Sequence, residues 1–243
     1  MEYDMVLRIK FAKYGPVKFI GHLDVMRYFQ KAVRRAGIDV KYSNGFNPHQ
    51  VMSFAAPLGV GLESRGEYFD LEMHSITSTE DIKNRLNAVM ADGFEILRVK
   101  LLPEKSKKAM ASVAAAEYEV RFAMPGEPGE CNLEEGVRML MNRSHVDYHK
   151  QTRKVDTHID LRPAIYSLSA DQTTGTIRMT VDASSAGNIK PGFVVDALLE
   201  QFGCTVNPLH VKVTRIDTYT CRDENAAVTL SNLIPLDDMG MDA

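Results

Sequence analysis

The 243-residue chain has few cysteines, no long apolar run and no strong excess of either charge. Its three cysteines, Cys131, Cys204 and Cys221, are odd in number and far apart. This pattern predicts reduced thiols and argues against a disulfide framework, a zinc site or an iron–sulfur cluster held by this chain. No segment approaches the ~18 consecutive apolar residues of a membrane-spanning helix, and the first residues lack the pattern of a targeting peptide. We therefore expect a cytoplasmic protein with no membrane association.

Charge is balanced overall but distributed unevenly. Lys and Arg number 29 and Asp and Glu 32, for a formal net charge of −3, which argues against a protein that coats nucleic acid with its whole surface. Residues 1–62 nevertheless contain nine Lys or Arg and four Asp or Glu, whereas residues 217–243 contain one Arg and six acids. Any nucleic-acid site must therefore be a local basic patch.

Hydrophobic periodicity predicts two similar halves, because alternating apolar residues indicate strands and 3.6-residue spacing indicates helices. In the first half the order is strand, helix, strand, strand, helix and strand, over residues 3–11, 22–36, 38–42, 67–73, 78–90 and 94–101. In the second half strands fall at 114–122, 145–150, 164–168, 176–181 and 211–216, and helices at 133–141 and 191–202. Capping signals support the helix limits, namely Ser78, Asn132, Gly37 and Gly203.

This order is that of a ferredoxin-like, or split βαβ, unit. We predict an α+β fold of two tandem ferredoxin-like units with antiparallel sheets, at residues 1–102 and 113–220. A polar linker at residues 103–112 would join them, and residues 221–243 would form an acidic, partly disordered tail.

The first predicted helix carries a basic stripe. Arg27, Lys31 and Arg34 fall within about one quadrant of a helix with 3.6 residues per turn. Such a face can neutralise phosphates, although a solvated face without function has the same pattern. Asp24, near the start of this helix, is either a capping residue or a substrate-binding one.

Residues 43–50 break all periodicity and predict a loop. Ser43, Asn44 and Asn47 offer hydrogen bonds, and Phe46 could stack on a base. The same residues suit a loop that caps itself, because Asn-Gly and Asn-Pro are turn dipeptides. Both interpretations stay open at this point.

Two histidines are candidates for acid–base catalysis. His22 at the helix start and His49 in the loop could transfer protons if they converged, with Glu67 or Asp70 orienting one of them.

Arg162, with Arg153 and Lys154, forms a second small basic cluster and a further candidate binding site. No zinc site is predicted from His145 and His149, because on a strand they would lie about 13 Å apart.

The run from residue 18 to residue 73 resembles the radical SAM-linked protein family, whose members occur beside radical SAM enzymes or fused to their C-termini. The resemblance is carried by Gly21, His22, Asp24, Arg34, Ser43, Gly45, Phe46, Asn47, Pro48, His49, Ala56, Pro57, Leu58, Gly59, Gly61, Ser64, Glu67 and Asp70. A later stretch, from Arg153-Lys154 to Asp160-Leu161-Arg162-Pro163, also looks like the family.

In similar proteins the radical SAM partner holds an iron–sulfur cluster through Cys-x-x-x-Cys-x-x-Cys, and this chain has no such motif. The resemblance thus implies an accessory subunit with no cofactor of its own, beside a partner that carries the cluster and S-adenosylmethionine. Family genes often neighbour those of RNA-processing proteins, so we expect RNA, or an RNA-associated substrate, in a cleft between the halves.

Two alternatives remain: a metal-independent ribonuclease or transferase using His22 and His49, and a protein-only adaptor. An exposed apolar patch beside the first helix would favour the adaptor.

Overall fold

The computed structural model describes residues 5–123, 128–129, 131–151, 156–223 and 226–243. The α-helices among them are α1 (His22–Arg35), α2 (Thr79–Asn87), α3 (Ala109–Ser112), α4 (Leu133–Met141) and α5 (Pro191–Glu200). The strands are β1 (Met5–Lys13), β2 (Met52–Phe54), β3 (Glu63–Met73), β4 (Phe94–Leu101), β5 (Ala115–Phe122), β6 (Asp147–Gln151), β7 (Asp156–Asp160), β8 (Ile165–Asp171), β9 (Thr176–Asp182), β10 (Val211–Cys221) and β11 (Leu233–Pro235). The chain thus has a mixed α/β fold with a mostly antiparallel sheet. No helix in these ranges combines the length and apolarity needed to cross a bilayer.

One sheet of nine strands runs through both halves. Its order is β4-β1-β3-β10-β5-β9-β8, with β2 beside β3 and β11 beside β10. The halves meet where β3 pairs with β10 in parallel, at Glu63 opposite Thr214 and Ser64 opposite Arg215. Gly66 permits this close approach, because a Cβ at that position would lie 2.3 Å from the Cα of Asp217. The two halves are therefore joined by backbone pairing as well as by their linker.

Two apolar cores lie on the two halves of this sheet. In the first half, Phe29 and Val33 of α1 are fully buried against Leu7, Ile9 and Leu71 of the sheet. In the second half, α4 and α5 pack their apolar faces on β5, β8 and β9. Each helix therefore buries the stripe that its periodicity predicted.

Local helix signals are confirmed. The Ser78 side chain accepts a hydrogen bond from the Asp81 N–H at the start of α2, and Asn132 caps α4 in the same way. Gly37 follows α1 with a φ of 63°, a conformation that suits glycine.

One strand prediction is corrected, and one predicted strand, at residues 145–150, is found outside the main sheet. Residues 38–42 do not form a regular strand, since Val40 and Tyr42 make only isolated bridges. The second strand of the first half is instead β2, after the loop. Strand β6 does not join the main sheet but pairs with β7 as a separate two-stranded hairpin.

The linker and the tail also differ from expectation. Residues 226–243 are packed against the sheet: β11 pairs with β10, and Leu236 and Asp237 are fully buried. In the linker, Ala109 is fully buried and its N–H donates to the Asp70 carboxylate at 2.6 Å. Both segments cover the sheet face opposite the helices. The buried side chains of Arg8 and Asp70 on that face supply hydrogen-bond partners for the backbones of the linker and the tail.

The expectation of three free thiols is also corrected. Cys131 and Cys204 form a disulfide, with Cα atoms 6.8 Å apart, and Cys221 is buried and lies outside this disulfide. The two bonded cysteines are 73 positions apart in sequence. They meet because α4 and α5 pack together, a contact that sequence spacing does not reveal.

We expect denatured, unreduced protein to show one reactive thiol per chain, from Cys221, and three after reduction. Titration with a thiol reagent in guanidinium, with and without prior reductant, measures both numbers. A Cys221→Ser variant is the control and should show none before reduction. Three thiols in unreduced protein purified without reductant would contradict the pairing.

Candidate functional site

The basic stripe lies on the solvent face of α1. Arg27, Lys31 and Arg34 are all exposed. Arg27 forms an exposed ion pair with Asp24 at 3.3 Å, while Lys31 and Arg34 form no ion pair within the described ranges. Asp24 therefore has a local partner, and two cations remain available to an outside ligand.

The loop at residues 41–51, here the 41–51 loop, is closed across its base. The Val51 N–H donates to the Lys41 carbonyl at 2.9 Å, and the Ser43 N–H to the His49 carbonyl at 2.8 Å. The Ser43 hydroxyl and His49 Nδ1 are hydrogen bonded at 2.8 Å. Ser43 and His49 thus act within the loop and hold its tip in place.

The tip of the 41–51 loop is solvent-exposed. Phe46 is completely exposed, and Asn44 and Asn47 on either side of it are exposed too. The loop is fixed to α1 through Gln50, whose side chain donates to the Gln30 carbonyl at 3.1 Å. Gln30 lies about 60° around the helix axis from Arg27 at 3.6 residues per turn. The loop that carries the exposed aromatic ring is therefore anchored to α1 close to its basic face.

The two candidate catalytic histidines are not brought together. The His22 ring packs edge-on against Phe54 with ring centres 5.5 Å apart. Burial lowers the pKa of His22, an effect that the Glu67 carboxylate opposes and the Lys13 ammonium reinforces. The loop that carries His49 is fixed at Gln30, eight positions further along α1, or about 12 Å at 1.5 Å per residue. Direct proton transfer between the two imidazoles needs a much shorter distance.

Three other candidates serve buried or structural contacts. Glu67 is buried and pairs with Arg215 at 2.8 Å, and Asp70 is buried and pairs with Arg8 at 2.8 Å. Neither carboxylate makes a hydrogen bond to an imidazole in the described structure. Arg162 donates to two backbone carbonyls, of Met141 and Ile165. Its predicted neighbours Arg153 and Lys154 lie outside the described residues.

Three of the four histidines of the second half, His145, His149 and His158, lie on or beside the β6–β7 hairpin. Each pairs with a carboxylate: His145 with Asp160, His149 with Asp156 and His158 with Asp147. The rings of His149 and His158 stack with centres 4.7 Å apart. Within the described ranges, no three His, Cys, Asp or Glu side chains are placed to hold one metal ion.

A large groove, here the inter-half groove, lies between the halves on the helix side of the sheet. Its volume is 1110 Å³. Residues 57–62 of the first half form one wall, α5 forms the other, and Val211 and Val213 of β10 contribute to the floor. Most lining side chains are apolar, which is typical of a ligand site.

Arg215 and Tyr118 are the polar groups in the floor of the inter-half groove, and they are 5% and 4% exposed. Arg215 donates through Nε and Nη2 to the Tyr118 hydroxyl, and through Nη1 to Glu67 and to the Ala56 carbonyl. Burial disfavours the charged guanidinium, but Glu67 and Tyr118 outweigh it, so the pKa of Arg215 is raised.

The sequence analysis expected a cleft between the halves but did not identify Tyr118 or Arg215 in it, although the sequence contains one signal of the groove. Val211, Val213 and Arg215 occupy the same face of β10, so a cation falls in register with two core-facing valines. A charged residue at such a position usually has a buried partner. The partner, Glu67, could not be identified because it belongs to the other half.

Comparison with known proteins was made for the whole chain. No curated protein matches it. A family model described as "uncharacterized protein conserved in bacteria (DUF2344)" matches residues 6–191, well over half of the sequence. This range includes α1, the 41–51 loop and the first wall of the inter-half groove. The chain therefore belongs to the DUF2344 family of uncharacterized bacterial proteins.

Proposed function

We propose that this protein is an RNA-binding accessory subunit of a radical SAM enzyme system. The observation that carries the RNA part is the fully exposed Phe46 on a loop that is anchored to α1, the helix whose cations Lys31 and Arg34 form no ion pair in the described ranges. Cations on a helix face bind phosphates, and an exposed ring on a fixed loop stacks on unpaired bases. These residues lie outside the inter-half groove, so RNA would bind the α1 side of the first half rather than a cleft between the halves.

The partnership with a radical SAM enzyme is supported by the resemblance of residues 18–73 to the radical SAM-linked family. The partner would hold the iron–sulfur cluster and S-adenosylmethionine, and this chain would present the RNA. The strand orders β4-β1-β3-β2 and β10-β5-β9-β8 support the more specific proposal that the halves are tandem ferredoxin-like units.

The RNA proposal predicts specific losses of affinity. Phe46→Ala should weaken binding of a mixed-sequence single-stranded RNA about tenfold, since one stacked base contributes about 1–3 kcal/mol. The double variant Lys31→Ala, Arg34→Ala should reduce the slope of log affinity against log salt by about 1.4, for two lost contacts to single-stranded phosphates. Fluorescence anisotropy at several salt concentrations measures both effects.

The matched control is Arg138→Ala, Arg143→Ala, which removes the same charge from exposed positions on and just after α4. It should leave the affinity and the salt slope nearly unchanged. An equal loss in this control would mean that only net charge matters. Absence of RNA binding by the wild type, even at low salt, would contradict the proposal.

A protein-only adaptor is the second candidate, because the structure has an exposed apolar patch beside α1. Phe19 and Leu23 are each 65% exposed, and Val60 is 61% exposed. The segments meet where the Gly61 N–H donates to the Lys18 carbonyl at 2.9 Å. Such a patch suits a protein partner, and failure of the RNA experiment would favour this candidate.

A further inference from the structure

The inter-half groove is shaped for an elongated apolar group. Val195 and Leu199 of α5 line it at helical spacing, as does Gly203 just beyond the helix. The ten residues of α5 extend about 15 Å at 1.5 Å per residue. Residues 57–62 face α5 across the groove. An unbranched chain of about ten carbons matches this length.

Two buried hydrogen-bond donors in the groove floor have no acceptor among the residues that the structure describes. The Tyr118 hydroxyl oxygen accepts two N–H groups from Arg215, at 3.2 and 3.0 Å, and its own hydrogen reaches no acceptor in the described structure. A guanidinium has five N–H donors, and Arg215 uses one from Nε, two from Nη1 and one from Nη2. One hydrogen on Nη2 therefore also has no acceptor among the described residues. A buried unpaired donor is costly, so these adjacent groups favour a ligand with acceptor oxygens.

Charge in the floor favours an anionic acceptor. Glu67 interacts with two buried cations, Arg215 and Lys13. Burial lowers the pKa of His22 and of Lys13, whereas the pKa of Arg215 is raised, so the guanidinium is the group in this cluster that can attract an anion. Asp196 and Glu200 border the groove on α5 and would repel an anion placed there. The Arg215 side is thus the favourable position for an anionic head.

We propose that the inter-half groove binds an amphiphilic carboxylate, with its apolar chain along α5 and its carboxylate on the Tyr118 hydroxyl and Arg215 Nη2. A carboxylate can accept both donors at once, one on each oxygen. This site does not depend on the proposed RNA surface, which lies outside the groove and involves different residues.

Decanoate is the probe, with decanol as the matched ligand that keeps the chain and lacks the charge. Wild-type protein should bind decanoate about tenfold more tightly than decanol, because a charge-assisted hydrogen bond is stronger than a neutral one. Tyr118→Phe should weaken decanoate binding about tenfold and decanol binding clearly less, because decanol loses only a neutral hydrogen bond. Isothermal titration calorimetry measures these affinities, and the melting temperature reports whether each variant is folded.

Two further variants complete the test. Tyr166→Phe makes the same chemical change on β8, outside the groove lining, and should bind decanoate as the wild type does. Val60→Asp places a carboxylate at an exposed lining position and should weaken decanoate binding at least fivefold, even if Tyr118→Phe does not fold. No binding of decanoate, equal affinity for decanol, or unchanged binding by Val60→Asp or folded Tyr118→Phe would overturn the proposal.

Discussion

Replacing Arg8 with alanine is expected to lower the free energy of unfolding by about 3–5 kcal/mol, the usual cost of removing one partner of a buried ion pair. Arg8 is 1% exposed and donates to both oxygens of Asp70, at 2.8 and 2.9 Å. It also donates to the carbonyls of Lys107 in the linker and Leu236 in the tail. The variant would leave a buried carboxylate without its cation and two covering segments without their donor.

Urea unfolding of a matched set tests this expectation. Asp70→Ala should cost a similar amount, and the double variant should cost clearly less than the sum, because the residues act as one unit. Arg138→Ala, which breaks an exposed pair with Glu135, is the control and should change stability little. Additive effects of Arg8→Ala and Asp70→Ala would mean that the two side chains are not coupled.

The second large effect is expected in the tail. Leu236→Ala should lower the free energy of unfolding by about 2–5 kcal/mol, the range for a buried leucine that leaves a cavity. Leu236 has no exposed surface, and its neighbour Asp237 accepts hydrogen bonds from Tyr68 and Arg98. Thermal and urea unfolding both report this loss.

Leu230→Ala is the control within the same segment, since that leucine is 52% exposed. It should change the stability by less than about 0.5 kcal/mol, as is usual for surface substitutions. If both leucine variants were neutral, the tail would not be packed on the sheet in solution. The original expectation of a partly disordered tail would then be restored.

The elements with strong local signals could be predicted from sequence. The period-two pattern located β1, β4 and β5, and the stripe of Phe29 and Val33 located α1. Turn dipeptides and the loss of periodicity predicted a loop at residues 43–50, and with it the candidates Phe46, Asn44 and Asn47. These features depend on neighbours within a few residues, which periodicity and turn chemistry describe well.

The charged residues of the central strands could not be placed in this way. Alternation assigns Arg8 and Asp70 to the face opposite the core, which normally means solvent. The linker and the tail cover that face, and no local sequence pattern indicates that it is buried. Glu67 and Arg215 are likewise 148 positions apart, so the inter-half groove depends on the pairing of β3 with β10. The disulfide between Cys131 and Cys204 depends on helix packing in the same way.

The parallel pairing of β3 with β10 also has a consequence for biosynthesis. When the first half has emerged from the ribosome, β2 covers only the C-terminal part of this edge of β3, so the end at Glu63 and Ser64 has no neighbour. Glu67 has no guanidinium either, because Arg215 is added 148 residues later. Contacts of such long sequence separation form late, and an open strand edge is a template for intermolecular pairing. We therefore expect nascent chains stalled before β10 to be far more prone to aggregation than the finished protein.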